Sequence, residues 1–503
     1  MDLFSNLSLG FSTSLQAGNL AYCFLGTVLG TLVGILPGLG PTATIALLLP
    51  LTYTLDPTAA CIMIAGIYYG AQYGGSTTAI LINLPGEASS AVSAIDGHQM
   101  ARQGRAGAAL AVAALGSFFA GTFATLIVAV AAPALAQIGL KFGSPEFFGL
   151  LILGLICSIS LAHGSPAKAF AMLVLGLVMG LVGQDTYTGQ PRLIFGSVAM
   201  YDGLDIVAVS VGLFGISEIL RNLVKETGAG VEPIKVDRLI LSREDVRASA
   251  GPVIRGTLVG SVLGILPGAG ALLASFMSYA MEKRISADPG RFGTGAIAGV
   301  AGPESANNAG AQTSFIPMLT LGIPANPIMA LLMAMLIVHG ITPGPGVVTT
   351  HPALFWGLIS SMWIGNAMLL VFNLPLVRIW MLLLKVPYPM LVASIVAFSS
   401  IGVYSIGYSG FDLLTMAIFG VAGFFLTRMG FELVPLVLGF VIGPLLEEHF
   451  RRAMSIADGN PEIFLTHPIS GVLIVLSVLM LGLVLVPAIA RQRSAVFEKG
   501  DID

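Results

Sequence analysis

Charge is what this chain has least of. Asp, Glu, Lys and Arg make up 10% of its 503 residues, while 55% are apolar, and a soluble domain carries about a quarter charged residues. With a mean hydropathy of +0.91, the composition argues against a soluble globular protein and for many membrane spans. Cysteine is nearly absent. Cys23, Cys61 and Cys157 are odd in number and lie in or beside apolar segments, which argues against a disulfide framework and leaves them as small hydrophobes. His98, His163, His339 and His351 have no metal-ligand spacing such as HExxH and read as loop or interfacial residues. No Walker sequence appears, which argues against intrinsic ATP drive. A net charge of −3 without a basic stripe implies no nucleic-acid partner. Residues 1–20 lack the basic start of a secretory signal, so no cleavage is expected.

What the chain does have is apolar runs of spanning length, for example 108–132, 147–161, 169–182 and 471–489. They are rich in Leu, Val, Ala and Gly and do not alternate with period two, so they predict helices and exclude an outer-membrane barrel. The fold class is therefore an all-α polytopic membrane protein. Trp356, Trp363 and Trp380 serve as interface anchors or as packing.

Orientation follows from Lys and Arg in short loops, which favour the cytoplasm. Arg102 and Arg105 lie in 86–107, and the polar connection 221–255 carries Arg221, Lys225, Lys235, Arg238, Arg243, Arg247 and Arg255. Four hydrophobic crossings, near 107–133, 145–163, 166–183 and 205–220, separate the two, so both return to the same side. The N-terminus is expected outside and the C-terminus in the cytoplasm.

One stretch occurs twice. GTLVGILPGLG at 30–40 reappears as GSVLGILPGAG at 260–270, with GILPG unchanged. Proline lacks a backbone N–H and glycine permits unusual φ, so each Pro-Gly ends one helix and lets another begin. The short arms on either side predict a re-entrant hairpin or a single broken helix; the plain alternative is glycine serving close helix packing. A second pair follows: GAQYGGSTT at 70–78 leading to Leu84-Pro85-Gly86, and GAQTS at 310–314 leading to Gly322-Ile323-Pro324. Each half is thus expected to hold a Pro-Gly-tipped hairpin and then a helix interrupted by Gly, Gln, Ser and Thr. The loop after the first hairpin has no Lys or Arg, whereas that after the second has Lys283, Arg284 and Arg291. The hairpins are therefore expected to open to opposite sides, as an inverted repeat with a midplane site.

The expected organisation is a first repeat at 1–220 (hairpin near 19–55, interrupted helix near 58–85, spans 107–220), a cytoplasmic linker at 221–255 and a second repeat at 256–446. That second repeat has its hairpin near 256–282, its interrupted helix near 294–340 and spans 353–446. A loop, a last span and a cytoplasmic tail fill 447–503, giving about 11 spans plus hairpins.

Few residues are placed to carry chemistry. Free N–H groups and half-helix starts at 38–42 and 268–272, including Gly38, Gly40, Thr42, Gly268 and Gly270, suit an anionic substrate without a buried Arg or Lys. Ser76, Thr77, Asn307, Asn308, Gln312 and Thr313 add neutral donors and acceptors. A coupling cation, Na⁺ or H⁺, is expected near Gly75, Thr78, Glu304 and Ser314, because an intramembrane carboxylate such as Glu304 is a natural cation site. The alternative for Glu304 is a cytoplasmic helix cap, and Glu87 at a loop start also reads as a cap. No other cofactor and no metal is expected.

GILPGLGPTATIALLLPLTY, GAQYGGSTTAILINLPGEASS and AGPESANNAGAQTSFIPMLTLGIP together resemble the large membrane subunit of tripartite tricarboxylate transporters, the TctA family, over nearly the whole chain. The resemblance implies a carrier of the bacterial inner membrane that works with a small membrane subunit and a periplasmic solute-binding protein. It also implies cation-driven uptake of citrate or related carboxylates. The other readings of the sequence are a passive anion channel, which would show flux without coupling, and a polytopic membrane enzyme. No paired carboxylates or Ser/His arrangement in the polar loops supports the enzyme.

Overall fold

The structure is a computed structural model; it describes residues 3–36, 40–160, 165–185, 187–224, 234, 236, 238–266, 270–377, 379–380 and 388–485. The first part of the chain forms α1 (Leu3–Ser14), α2 (Ala17–Ile35), α3 (Pro41–Thr52), α4 (Pro57–Ile82), α5 (Ala91–Met100) and α6 (Ala106–Gly139). It continues through α7 (Ser144–Ser160), α8 (Pro166–Gly180), α9 (Ile206–Ser210) and α10 (Ser217–Val224). The second part forms α11 (Arg243–Ile265), α12 (Gly270–Ile285), α13 (Ala298–Thr313), α14 (Phe315–Leu321), α15 (Pro327–Val338), α16 (Val347–Thr350) and α17 (Pro352–Asn373). It ends with α18 (Tyr388–Gly407), α19 (Gly410–Arg428), α20 (Leu433–Ile456), α21 (Ile463–Thr466) and α22 (Pro468–Leu485). Among the described residues the strands are β1 (Gly183–Gln184) and β2 (Pro191–Arg192), one antiparallel pair with Gly183 opposite Arg192.

The protein is a multi-pass, almost wholly helical membrane protein. Seven described helical stretches are long and apolar enough to cross a bilayer, and five shorter apolar helices accompany them. The innermost helices are α4, in which Ala59–Ile82 is buried throughout, and α13 to α15.

Small residues decide how the inner helices meet. In α2, Gly26, Gly30 and Gly34 lie against Met63, Ile67 and Ala71 of α4, and a Cβ on any of the three would collide with a backbone carbonyl. In α11, Gly256, Gly260 and Gly264 meet Gly302, Ala306 and Gly310 of α13 in the same way. Spacing of four residues puts each trio on one helix face, so the backbones approach closely, as small-xxx-small stripes do in membranes.

Three expectations change here. The run 70–78 does not interrupt a helix: it lies inside continuous α4, where Gly70 and Gly74 abut α2. A glycine breaks a helix when its backbone is left unsupported; here a partner helix fills the space that the missing side chain leaves. Thr313 and Phe315 are likewise separated by Ser314 alone, which keeps right-handed helical dihedrals, so the interruption again falls beyond the GAQ motif. The second arm also starts earlier than the expected 256. A capping box in which Ser242 and Asp245 bond reciprocally begins α11 at Arg243, inside the segment read as a linker.

Candidate functional site

Both halves break their helices at the same place with the same chemistry. α4 ends at Asn83 in the left-handed region (φ 56°), followed by Leu84-Pro85, and α14 ends at Gly322 (φ 68°), followed by Ile323-Pro324. A left-handed residue satisfies the last carbonyls of a helix, and the proline prevents its continuation. Past each break a side chain starts the next helical segment. Glu87 accepts the Ser89 N–H at 3.1 Å to open a short 3₁₀ turn, Ala88–Ser90, and Asn326 accepts the Met329 N–H at 3.0 Å to open α15.

These breaks face a cavity of about 900 Å³. Four helical starts line it: Gly40–Pro41 of α3, Gly270 of α12, Ala88 of the 3₁₀ turn and Pro327 of α15. The positive ends of the α3, α12 and α15 dipoles therefore border one space, an arrangement that favours anions. Gln72 and Tyr68 of α4 reach the wall from one side, while Ser158 of α7, Leu213 and Phe214, and Thr427 to Leu438 at the α19–α20 turn close it from the other. The charged lining is Glu87, Glu218, Arg221 and Glu432. Arg221 pairs with Glu218 one helical turn away. In the sequence Arg221 reads only as a basic residue of a polar connection; the packing of α10 against α19 turns it into the cavity.

Gly40, Thr42 and Gly270 line this cavity, and Gly38 and Gly268 lie outside the described residues. The remaining candidates lie within the helix bundle, away from the cavity lining. Ser76 donates to Glu304 Oε2 at 2.5 Å across the two halves of the chain, and Ser76 and Thr77 border a second, much smaller pocket beside Tyr73 and Asn373. Asn308 Nδ2 donates to Ser117 Oγ at 2.7 Å and to the Glu304 carbonyl at 3.0 Å. Thr78, Thr313 and Ser314 return their hydroxyls to carbonyls of Gly75, Ala309 and Ala311.

Three of these candidates keep unspent polar atoms: Asn307 at both amide ends, Gln312 at Oε1 and Glu304 at Oε1. Glu304 is 1% exposed and sits in the second turn of α13, so it is no helix cap. Gly75 has Glu87 as its neighbour: a Cβ there would lie 3.1 Å from the Glu87 N. Glu87 does cap, as expected, and also faces the cavity. Two of the histidines hold backbone: His98 Nδ1 bonds the Ile80 carbonyl, and His339 bonds those of Met335 and Leu55. His163 lies outside the described residues. Among the described residues no group of three or more His, Cys, Asp or Glu is placed to hold a metal.

Residues 20–438 match the model of the "Tripartite tricarboxylate transporter TctA family". A protein of Agrobacterium vitis, named "Uncharacterized 52.8 kDa protein in TAR-I ttuC' 3'region", is 59% identical over 501 residues, covering 100% of both chains. A second protein of that organism, "Uncharacterized protein in TAR-II ttuC' 3'region", is 56% identical over 242 residues, 48% of this chain and 100% of its own. No solved structure matches.

Proposed function

The chain belongs to the tripartite tricarboxylate transporter TctA family, and from that premise we propose that it is the large transmembrane subunit of a binding-protein-dependent secondary transporter. It imports citrate or related carboxylates across a bacterial inner membrane, driven by a Na⁺ or H⁺ gradient. Its partners are a small membrane subunit and a periplasmic solute-binding protein that delivers the substrate. The N-terminus faces the periplasm and the C-terminus the cytoplasm.

The observation that carries this reading is the 900 Å³ cavity onto which helix starts from both halves converge. Its size admits a small polycarboxylate with some water, and its donors are backbone groups that recognise negative charge. In this reading the two halves form an inverted repeat around the midplane; the Pro-Gly tips themselves, at 37–39 and 267–269, lie outside the described residues. The helices from α6 to α10 and from α17 to α20 brace that unit, and its movement exposes the site alternately to each side.

The test is uptake of radiolabelled citrate and a panel of dicarboxylates into proteoliposomes holding all three components, under imposed Na⁺ or H⁺ gradients. Accumulation against the substrate gradient that collapses with one ionophore is the expected result. Flux that only equilibrates substrate and ignores both ion gradients points to a channel and overturns the carrier reading.

A further inference from the structure

The two breaks are alike in backbone and differ in charge. Asn83 and Gly322, Pro85 and Pro324, and Glu87 and Asn326 occupy corresponding places, and both capping residues line the cavity. Asn326 is neutral and spent: its Oδ1 takes the Met329 N–H and its Nδ2 donates to the Tyr68 hydroxyl at 3.2 Å. Glu87 puts a carboxyl at the matching position of the first half.

Among the described residues, the surroundings of Glu87 do not supply a counter-charge. It packs on the bare backbone of Gly75, whose missing Cβ would stand 3.2 Å from the Glu87 Cγ. Beside it, Gln72 is 1% exposed; its Oε1 accepts the Ser89 hydroxyl at 2.9 Å, while its Nε2 has no acceptor. A buried amide N–H₂ on a cavity wall without a partner is costly unless a ligand accepts from it. The charged and titratable groups around the space are Tyr68 of α4, Glu304 on α13 behind the wall, and Glu218, Arg221 and Glu432 opposite. Arg221 is already neutralised by Glu218. Among the described residues, Glu87 therefore presents a negative charge toward a negative substrate, and two like charges repel strongly where water is partly excluded.

We propose that Glu87 couples the two gradients: a monovalent cation, H⁺ or Na⁺, neutralises its carboxyl and allows the substrate carboxylate to occupy the cavity against Gln72 Nε2 and the helix starts. Loss of that cation to the cytoplasm restores the charge and expels the substrate. The inference rests on the carboxylate-carrier reading above.

The experiment is [¹⁴C]citrate counterflow in proteoliposomes holding the complete assembly, with equal Na⁺ and pH on both sides, each varied tenfold in turn. In the wild type the KM for citrate falls by up to about tenfold per tenfold rise in the coupling cation, as one-to-one linkage requires. The Na⁺ series and the pH series tell the two cations apart. Glu87→Gln keeps the oxygen that caps Ser89 and imitates the neutralised state, so its KM is expected to be flat, whereas Glu87→Asp keeps the slope. A wild-type slope in Glu87→Gln, or a correctly assembled Glu87→Gln without exchange, overturns the proposal. Should that variant not assemble, Glu87→Asn, which copies Asn326, is read in the same way. If the wild type itself exchanges no citrate, the citrate carrier reading fails, and the coupling role with it.

Discussion

At the scale of single residues, polar groups in this protein follow two rules according to depth. Inside the bundle they are paired across helices or left with unspent atoms, as Glu304 and Asn307 are. Outside the spans they gather into an ion cluster. Asp185, on the turn between β1 and β2, accepts from the backbone N–H groups of Tyr187 and Thr188 at 2.8 and 3.2 Å and from Arg451 at 2.9 Å. Arg192 pairs with Glu447 at 2.7 Å and lies 3.6 Å from Asp185, so the turn is fastened to the far end of α20.

The Tyr187 N–H, with the Thr188 N–H and Arg451, holds the Asp185 carboxyl down at about 2 against the opposing effect of its burial. A depressed folded pKa means that this stabilisation is complete above the unfolded value, about 3.9, and is lost as pH falls through about 2. The expected outcome is that the protection factors of the 187–189 amides, measured against intrinsic exchange at each pH, stay high and constant above about pH 4.5 and fall between about 4 and 2. Asp185→Asn is expected to show fast exchange with no such step. A step of equal size in Asp185→Asn would assign it to other carboxylates.

At the scale of elements, the glycine stripes set the distances between inner helices, and their tolerance is unequal. A side chain at Gly260 would drive into the Ala306 carbonyl of α13, while the exposed Gly18 at the start of α2 has nothing within 4 Å. Gly260→Val is expected to cost about 3 kcal/mol or more by overpacking, seen as a lower melting temperature and poor assembly in detergent. Gly18→Ala should stay within about 0.5 kcal/mol of the wild type. Equal melting temperatures for both variants would refute the stripe as the contact that sets helix spacing.

The same contrast explains what the sequence could and could not disclose about elements and site. Leu84-Pro85-Gly86 and Gly322-Ile323-Pro324 were legible as a matching pair, but the helix ends at Asn83 and Gly322, where a left-handed residue and a nearby proline act on their own backbone, were expected within the runs before them. The glycines at 70–75 were not legible, since a membrane glycine either frees a backbone or admits a neighbour, and only α2 packed against them decides which. Gly40, Thr42 and Gly270 were legible at the cavity because they adjoin the repeated Pro-Gly. Arg221 and Glu432 were not, because they reach it by the tertiary placement of α10 and of the α19–α20 turn.

At the scale of the whole molecule, the position of the cavity bears on the proposed orientation. Its outer wall is made from one end of the bracing helices: Ser158 near the end of α7, Glu218 and Arg221 in α10, and the turn that includes Gly430 and Glu432. That end also carries Lys168, which donates to the Met429 carbonyl, and Arg428 at the end of α19. The opposite ends hold the mixed cluster of Asp185, Arg192, Glu447 and Arg451 and the pair of Glu146 with His467. Basic residues concentrated at one end, continuing into Arg238, Arg243 and Arg247, agree by the positive-inside bias with the proposed orientation, in which that end lies in the cytoplasm. On that proposal the cavity opens inward, to the side where substrate would be released.

A single thiol reports this directly. With Cys157 replaced, Cys23 and Cys61 stay buried and out of reach, and Glu432→Cys adds a thiol on the cavity wall. A membrane-impermeant maleimide is expected to modify Glu432→Cys in inside-out vesicles at least tenfold faster than in right-side-out vesicles. Citrate is expected to slow that modification by filling the space between the wall and the helix starts. Faster labelling of right-side-out vesicles would invert the whole assignment, since α7, α10 and α20 share that wall and must turn over together.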